Sequence, residues 1–373
     1  MSLCNFCKKN FTEQLKSCVC KNVFYCSKDC QTKDWKSHKP SCPPFTIRDS
    51  PGKGRGLFAT RKINEGQIIS DEFPLVKLMV DVSLDEFKAD IYPNIDQETK
   101  AKILQLNDPA DDIKTLHNET VEALVRKNTM GMAYWLEAPS DEVQKIYRII
   151  AGNDIQICGE ENLYRNTTEH GLYQTYSQVN HACVPNTVSS WVMGDFLRHQ
   201  IRAIMTIEKG QEILTSYLSG GLSYGPREAR RQYLLEVRGF WCECSECSLE
   251  GEDLQQKERM REEAREMEEK LKECLQRMTG QTISTLIRRD VKKTMKLVQR
   301  RVKLVQKLDI RTDFVGAMIY FYWFAVLARR KDISCVNDPD VYKQEAWKYA
   351  KMCGDRFIHS YNNLLRNYIA RPL

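Results

Sequence analysis

The chain has 373 residues, of which 42% are apolar and 28% are charged, a composition typical of a folded protein with two or three domains. Its net charge of +6 is too small to require nucleic acid or another acidic partner. The longest apolar run, 314–328, is too short to cross a bilayer and predicts a buried helix. Because residues 1–10 lack the apolar segment of a secretory signal, we expect a reduced protein of the cytoplasm and the nucleus.

Cysteine is concentrated at the N-terminus, where seven of the fifteen cysteines precede residue 43. This segment is too small to bury an apolar core of its own. Thiolate and imidazole ligands favour zinc, and eight of them suit two tetrahedral ions. Free thiols or a disulfide cluster are the alternatives, but clustered cysteines in a reducing compartment bind metal more often. The eight ligands are Cys4, Cys7, Cys18, Cys20, Cys26, Cys30, His38 and Cys42.

The middle of the chain alternates between two kinds of pattern. Short β-like runs broken by glycine and proline extend from residue 45 to about residue 80. A helical pattern fills about 83–152, and strand-like runs return between Thr187 and Tyr217. A helix begins at Pro226. This order predicts an α+β protein in which a helical insertion interrupts a β-rich domain over residues 45–250.

The last third of the chain is predicted to be helical. Apolar residues recur at alternating spacings of four and three in two runs, 260–278 and 287–305, which flank Thr279 and Gly280. Each run predicts an amphipathic helix, and the glycine predicts the break between them. We therefore expect an antiparallel helical hairpin, an aromatic helix over 314–328, and one or two helices between 341 and 368. Together they form a C-terminal helical domain over 251–373.

Four motifs within the β-rich region carry chemically useful side chains. Taken singly, a Gly-x-Gly segment is most often a turn between strands, and a lone histidine is most often a satisfied core residue. The last motif holds three cysteines, one ligand short of a tetrahedral zinc site, and Cys183 would complete it. The motifs are Lys53-Gly54-Arg55-Gly56, Asn180-His181-Ala182-Cys183-Val184-Pro185-Asn186, Gly210-Gln211-Glu212-Ile213 with Tyr217, and Phe240-Trp241-Cys242-Glu243-Cys244-Ser245-Glu246-Cys247.

The N-terminal module, residues 1–44, resembles a MYND zinc finger. The likeness is carried by Tyr25-Cys26-Ser27-Lys28-Asp29-Cys30-Gln31 with Trp35, His38 and Cys42. The resemblance implies one zinc on Cys4, Cys7, Cys26 and Cys30, and another on Cys18, Cys20, His38 and Cys42. A single residue separates Cys18 from Cys20, where the family usually has two. MYND fingers mostly bind proteins, so protein partners are expected here.

The four later motifs, in this order, resemble the SET domain of protein-lysine methyltransferases. The resemblance implies methyl transfer from S-adenosylmethionine to a lysine of a protein substrate, histone or non-histone. It also implies a post-SET segment over about 240–250, with a third structural zinc on Cys183, Cys242, Cys244 and Cys247. The implied cofactor residues are Lys53, Gly54, Arg55, Gly56, Asn153, Ser177, Asn180, His181 and Phe240. Tyr217 is the implied catalytic residue, lining the channel where the amine meets the methyl group; otherwise it is an ordinary tyrosine at a strand end.

Two departures from the family keep a second reading open. The finger precedes the whole SET core, an order that resembles arthropod-type SET-MYND proteins. Many SET-MYND enzymes also carry a second tyrosine at the position of Arg238, so either Tyr233 substitutes for it or the channel differs. The alternative function is a MYND/SET adaptor that has lost activity and mediates protein–protein interaction, for example in transcriptional regulation.

The predicted helix over 288–307 is strongly basic, which raises the possibility of a nucleic-acid interface. No aromatic residue interleaves with its charges, and the preceding helix carries an acidic run over 262–273. These features favour a solvated helix face that is partly ion-paired. We therefore expect a monomer whose main partners are proteins and that lacks a membrane segment.

Overall fold

A computed structural model describes residues 2–11, 15–18, 23–39, 42–79, 82–108, 141–157, 169–192, 195–218, 220–278, 288–330 and 339–354. The strands in these ranges are β1 (Ser2–Leu3), β2 (Asn10–Phe11), β3 (Lys16–Ser17), β4 (Phe24–Tyr25), β5 (Phe45–Asp49), β6 (Arg55–Ala59), β7 (Ile68–Glu72), β8 (Val76–Met79), β9 (Ile155–Gln156), β10 (Glu169–Leu172), β11 (Asn180–His181), β12 (Thr187–Val192), β13 (Asp195–Ala203) and β14 (Glu212–Thr215).

The helices in the same ranges are α1 (Lys28–His38), α2 (Leu84–Glu86, continued by a π-helical turn over Phe87–Ile91), α3 (Gln97–Ile103), α4 (Glu142–Asn153), α5 (Arg227–Arg238), α6 (Gly251–Met278), α7 (Arg288–Leu308), α8 (Arg311–Arg330) and α9 (Pro339–Cys353). The α+β fold class is therefore confirmed. None of the described helices combines the length and the apolarity that a bilayer crossing requires.

The N-terminal module consists of two small hairpins, β1–β2 and β3–β4, and one helix, α1. Ser27 caps the helix, because its side-chain oxygen accepts a hydrogen bond from the backbone N–H of Cys30 at 3.2 Å. Asp34 on the same helix accepts hydrogen bonds from Tyr25 and Asn5 at 2.7 and 2.6 Å. The helix is thereby fixed against the hairpins, with Cys30 near its start and His38 at its end.

Three small sheets build the β-rich region. Their strand orders are β11-β14-β6-β5, β12-β13-β7 and β8-β10-β9. Leu57, Ile63, Ile201 and Ile213 lie fully buried where the first two sheets meet. The alternation of apolar and polar residues along each short strand sends one face into this core.

The segment from Asn180 to Thr187 wraps around β14. Strand β11 pairs with β14 in parallel, while β6 pairs with its other edge. The Asn186 amide accepts the N–H of Leu214 and donates to the carbonyl of Glu212, both at 2.8 Å. Thr187 donates to the carbonyl of Leu214 at 2.8 Å. These side chains satisfy backbone groups that a β partner would otherwise take, so the loop is locked around the strand.

Helices α2, α3 and α4 lie in the predicted insertion and share one apolar core with β8 and β10. Its centre includes Phe87, Ile103 and Ile149, all fully buried. A buried bidentate pair joins Arg148 to Asp108 at 2.7 Å, tying α4 to the end of the α3 segment. The described parts of the insertion, up to Asp108 and from Asp141, therefore pack together beside the sheets.

The C-terminal helices follow the predicted seam. Ala264, Met267 and Leu271 on α6 are buried, as are Val291 and Met295 on α7. Glu263 in the first half of α6 pairs with Arg300 near the end of α7. At the other end, the hydrogen bond to Cys274 and the nearby charge of Asp290 raise the pKa of Arg277. The end of α6 therefore lies near the start of α7, and the two helices run antiparallel. Helix α8 is buried at its centre, as its aromatic run predicts. The rest of the predicted helical region, 355–368, lies outside the described residues.

One detail of the basic helix differs from the prediction. The basic run over 288–307 predicts a solvated helix face, but Arg301 is buried beside Tyr224 and pairs with Glu268. The helix seam passes through this position, so its guanidinium is enclosed. The other lysines and arginines of α7 are exposed, and they are Arg288, Arg289, Lys292, Lys293, Lys296, Arg300, Lys303 and Lys307.

Candidate metal centres and active-site cleft

The first group of soft ligands comprises Cys4, Cys7, Cys26 and Cys30, whose sulfur atoms all lie within 4.8 Å of one another. The Sγ atoms of Cys7 and Cys26 are 3.8 Å apart, and those of Cys26 and Cys30 are 3.5 Å apart. A tetrahedral zinc with bonds of about 2.3 Å holds its sulfurs about 3.8 Å apart. The group therefore has the donors and the size that zinc requires.

The second group brings Cys18, His38 and Cys42 together, all of them buried. The Sγ atoms of Cys18 and Cys42 are 3.8 Å apart, which again matches a tetrahedral site. Cys20, the predicted fourth ligand, lies outside the described residues. Despite the shortened spacing, Cys18 takes its place beside the other two ligands, because its backbone N–H is held by the carbonyl of Val23 at 2.8 Å.

The third group joins Cys183 to Cys242, Cys244 and Cys247 in a fully buried cluster. The Sγ atoms of Cys183 and Cys247 are 3.6 Å apart, and the N–H of Cys183 donates to Cys244 Sγ at 3.5 Å. Cys183 stands on the loop around β14, whereas the other three follow α5. All three groups fit structural zinc, and this one fastens the C-terminal end of the β-rich region to its centre.

A buried arginine lies against the third group. Arg230 on α5 is 1% exposed, and its guanidinium donates to Cys183 Sγ at 3.3 Å and to Cys247 Sγ at 3.7 Å. Its remaining terminal nitrogen donates to the carbonyl of Gly225 at 2.6 Å. Four thiolates around Zn²⁺ leave a net charge of about −2, and burial of that charge is costly unless a cation is near. The guanidinium supplies such a cation.

A carboxylate connects the glycine loop to the Asn180 segment. Glu212 on β14 pairs with Lys53 at 3.2 Å and accepts a hydrogen bond from the Asn180 amide at 2.8 Å. The same amide nitrogen lies 3.1 Å from the carbonyl of Arg55. A Cβ at Gly56 would lie only 2.5 Å from the Glu212 carboxylate and 2.7 Å from the Asn180 amide. Glycine is required there because the backbone passes directly beneath these two side chains.

The insertion helices lie against the glycine loop, 53–56, and the space beside this loop and Asn180 is called the cleft below. Gly54 has a positive φ of 70°, and the Asn107 side chain lies 3.7 Å from where a Cβ would stand. The Asn153 amide donates to the carbonyl of Asn107 at 2.9 Å. Ser177 donates to the carbonyl of Asn153 at 3.2 Å. The predicted residues Gly54, Asn153 and Ser177 are thus brought into one line along the cleft, with Asn107 between the first two.

Three rings lie together beside Asn180, and they belong to His181, Tyr217 and Phe240. The Tyr217 ring centroid lies 5.4 Å from that of His181 and 6.2 Å from that of Phe240. The Tyr217 hydroxyl donates to the carbonyl of Val179 at 2.6 Å. His181 Nδ1 accepts the N–H of Tyr217 at 3.0 Å, which assigns the ring proton to Nε2, 3.5 Å from Cys183 Sγ. Burial lowers the pKa of His181 to about 4, so the imidazole is neutral at pH 7.

Arg238 lies beside Tyr217. It is the last residue of α5, and Gly239 ends the helix with a φ of 76°. The Arg238 guanidinium carbon is 5.5 Å from the Tyr217 ring centroid, and its Nη1 lies 3.3 Å from the carbonyl of Gly152 at the end of α4. Tyr233 lies one turn back and packs against the third cysteine group. An arginine therefore contacts Tyr217 where many SET-MYND enzymes carry a tyrosine.

Two residues that hold the site together were not assigned a role from the sequence. Glu212 could have been suspected, because an acidic residue within the Gly210-Gln211-Glu212-Ile213 motif begins a partly buried strand. Arg230 gave no signal, since the sequence does not distinguish it from the half-buried arginines around it on α5. Only the fold shows that it faces the cysteine cluster.

Comparison with known proteins identifies two domains in this chain. The SET domain family matches residues 54–218, and the MYND finger family matches residues 4–42. Among curated relatives, the N-lysine methyltransferase SMYD2 of Sus scrofa is 29% identical over 255 residues, which covers 67% of this chain and 51% of the relative. The Homo sapiens protein of the same name is 28% identical with 67% and 52% coverage. The chain spans about half the length of the curated relatives it matches.

Similar solved structures include the SET domain of LSMT bound to lysine and AdoHcy. That chain is 11% identical, with a TM-score of 0.32 and coverage of 90% of this chain and 92% of the other. Rubisco LSMT bound to AdoMet is 10% identical with a TM-score of 0.30.

Proposed function

We propose that this chain, which carries a MYND finger followed by a SET domain, transfers methyl groups from S-adenosylmethionine to lysine side chains of a protein substrate. The observation that carries the proposal is the closure of the Asn180–Thr187 segment around β14. This closure brings the glycine loop, the Asn180 amide and the ring of Tyr217 to one cleft. The relatives named N-lysine methyltransferase support the same activity.

The cofactor would lie along the cleft residues described above. Bound there, S-adenosylmethionine supplies an electrophilic methyl group on a positively charged sulfur. We propose that the backbone of residues 53–56, with Asn153 and Ser177, holds its polar groups, and that Phe240 covers its adenine. Asn180 and His181 line the same space from β11. Glu212 maintains this arrangement, because it links Lys53 to the Asn180 amide.

Tyr217 would orient the acceptor amine. Its hydroxyl hydrogen is donated to the carbonyl of Val179, so the oxygen lone pairs remain to accept a hydrogen bond from the amine. Holding the nitrogen in line with the methyl group is mainly a matter of position, and positioning contributes strongly to rate. The amine must first be neutral, since a lysine side chain has a pKa of about 10.4 in solution.

Several finer properties belong to the same proposal. We propose domain limits of 1–44, 45–250 and 251–373, with the finger engaging protein partners. The three thiol clusters suit a reducing compartment, which supports action in the cytoplasm and the nucleus on histone or non-histone lysines. We propose that the chain acts as a monomer without nucleic acid. Mass spectrometry of the methylated lysines would give the number of methyl groups transferred.

The direct test is incubation of zinc-loaded protein with labelled S-adenosylmethionine and a cell extract, followed by mass spectrometry of the labelled proteins. The expected result is methyl-lysine on at least one protein. Binding of the cofactor is measured separately by calorimetry. A folded, zinc-loaded chain that binds no cofactor would overturn the methyltransferase proposal and favour the adaptor.

Tyr217→Phe separates the catalytic role from a structural one. The variant should bind cofactor nearly as well as the parent, because the phenol is proposed to contact the amine. Its methyl transfer should fall at least a hundredfold, the usual cost of about 2.7–4 kcal/mol for losing one oriented polar contact. Tyr92→Phe is the matched control and should keep its rate, because the hydroxyl of Tyr92 contacts Glu142 in the insertion and no group of the proposed site. Equal rates in both variants would remove Tyr217 from the mechanism.

A further inference from the structure

Arg238 places a fixed positive charge at the part of the cleft where the acceptor amine is proposed to react. Its guanidinium carbon lies 5.5 Å from the centre of the Tyr217 ring, on which a cation is attracted by the π electrons. Its Nη1 donates to the carbonyl of Gly152 at 3.3 Å. That carbonyl belongs to the last turn of α4, where the helix dipole favours a cation.

The position of this charge is determined by rigid elements. Arg238 ends α5, and Gly239 turns the chain immediately into the segment that carries Cys242. The backbone of Arg238 is thus held between a helix and a candidate zinc site. The charge also acts on its buried surroundings: burial raises the pKa of Tyr176, and the Arg238 charge opposes this rise.

The other titratable groups on the elements around Arg238 are identifiable. They are Tyr176 before β11, His181 on β11, Glu212 on β14, Tyr217 after it, Tyr233 and Glu236 on α5, and Asp154 at the end of α4. His181 Nδ1 already accepts the N–H of Tyr217. Each of the three carboxylates already has a partner: Asp154 lies 3.1 Å from the ring of His170, Glu212 pairs with Lys53 and accepts from Asn180, and Glu236 accepts from Gln232. Among these described groups, no carboxylate stands free to take a proton from the substrate.

We propose that Arg238 is a specificity-determining residue that selects the neutral form of the acceptor amine and so promotes loss of its proton to solvent. The inference rests on the proposed function. A fixed cation near an amine at a half-buried site lowers the pKa of that amine by about 1. With cofactor and substrate bound, the ammonium N–H bond would break and the proton would leave to water, and the freed lone pair would form the new N–C bond while the S–C bond of the methyl group broke. No dedicated base is needed.

The same charge affects the total charge of the cleft. With the lysine ammonium and the cofactor sulfonium both bound, the cleft would hold two positive substrate charges. After deprotonation of the amine it would hold one, and that charge would move from sulfur to nitrogen during methyl transfer. A nearby guanidinium favours the state with fewer positive charges. A tyrosine at position 238 would provide a hydrogen bond without this repulsion, so this chain is expected to operate at a lower pH than an enzyme with tyrosine there.

The test uses two cofactor analogues and needs no identified protein substrate. Sinefungin carries an amine where the cofactor has its sulfonium methyl, whereas S-adenosylhomocysteine is uncharged there. Calorimetry at about pH 7.5 gives the affinity of each analogue. Repeating it in buffers of different ionisation enthalpy gives the number of protons released on binding. The chains compared are the parent, Arg238→Gln, Arg238→Lys and Arg259→Gln, which removes an exposed charge from α6.

Arg238→Gln should bind sinefungin about tenfold more tightly relative to S-adenosylhomocysteine than the parent does, and should release fewer protons on binding. Arg238→Lys and Arg259→Gln should behave like the parent, which also shows that the effect is one of charge at this site. Equal affinity ratios and equal proton release in the parent and Arg238→Gln would overturn the inference while leaving the methyltransferase proposal intact. If the folded parent bound neither analogue, both proposals would fall.

Discussion

The MYND finger and the third cysteine group bind metal with similar donors but are assembled in different ways. All the finger's ligands lie within 39 residues, 4–42, and Cys7, Cys26 and Cys30 are only partly buried. The third group takes Cys183 from the loop around β14 and three cysteines from beyond α5, and all four are buried. In the finger, metal replaces a missing apolar core. In the third group, an existing fold brings distant thiols together, and metal locks the result.

The two regions also differ in how far the negative charge of their thiolates is exposed to water. The first finger group can expose part of its thiolate charge to water through Cys7, Cys26 and Cys30, whereas the third group cannot. Arg230 therefore accompanies the buried group, with its guanidinium 3.3 Å from Cys183 Sγ. A zinc site inside a core therefore needs a compensating charge, whereas a site near the surface needs mainly ligands that lie close together in the sequence.

Removal of zinc should produce the largest effect and should separate the two regions. Structural zinc contributes about 10–16 kcal/mol to the folding of a small module, so a chelator should unfold residues 1–44. The third ion should leave more slowly than the two finger ions, because its ligands are held by separate elements of a folded core. A metal indicator would follow the release, and elemental analysis should give three zinc ions per chain beforehand. Two or fewer would remove one proposed site, and a single release phase would contradict the comparison.

Arg230→Met tests the compensating charge directly. Loss of one partner from a buried charge cluster typically costs about 3–5 kcal/mol, so the variant should unfold at lower denaturant and lose the third zinc faster. Arg231→Met is the matched control on the same helix, because Arg231 donates to the carbonyls of Cys242 and Cys247 and not to sulfur. The finger ions should leave at unchanged rates in both variants. Equal loss of the third ion in the two variants would mean that the Arg230 charge has no special role.

A buried histidine in the β-rich core should make the stability of that core sensitive to acid. His199 is fully buried among the rings of Tyr173, Tyr176 and Trp191, and burial lowers its pKa to about 4 from 6.5. The unfolded chain therefore binds a proton before the folded chain does. Its contribution to stability is complete above about pH 6.5 and is lost as the pH falls towards 4, by about 3 kcal/mol in total.

His199→Phe should remove this part of the pH dependence. Urea unfolding would be compared for parent and variant between about pH 7 and about pH 4.5, which spans most of the range in which the histidine titrates. The parent should lose stability more steeply by up to one bound proton. Parallel stability curves would show that His199 is not neutral in the folded core.

The exposed bases of α7 should matter least. Arg300 is 70% exposed and pairs with Glu263, and exposed pairs of this kind contribute about 0–1 kcal/mol. Charge reversal at Arg300 and Lys303 should therefore change the unfolding free energy by less than about 1 kcal/mol, and duplex DNA should not bind at micromolar concentration in physiological salt. Binding by the parent that the reversal abolishes would instead establish a nucleic-acid surface outside both zinc regions.

The sequence by itself determined those features whose causes are local. The finger's ligands, the periodic seam of α6 and α7 and the aromatic helix α8 follow from spacing, because zinc geometry and helix periodicity act over few residues. The motif order also predicted that Cys183 joins Cys242, Cys244 and Cys247. Tertiary structure alone decided that Glu212 links Lys53 to Asn180, that Arg230 faces thiols, and that Arg301 is buried while Arg300 is exposed. Each depends on which face of a strand or helix meets an element far away in the chain, and the cost of burying a charge arises only after that meeting.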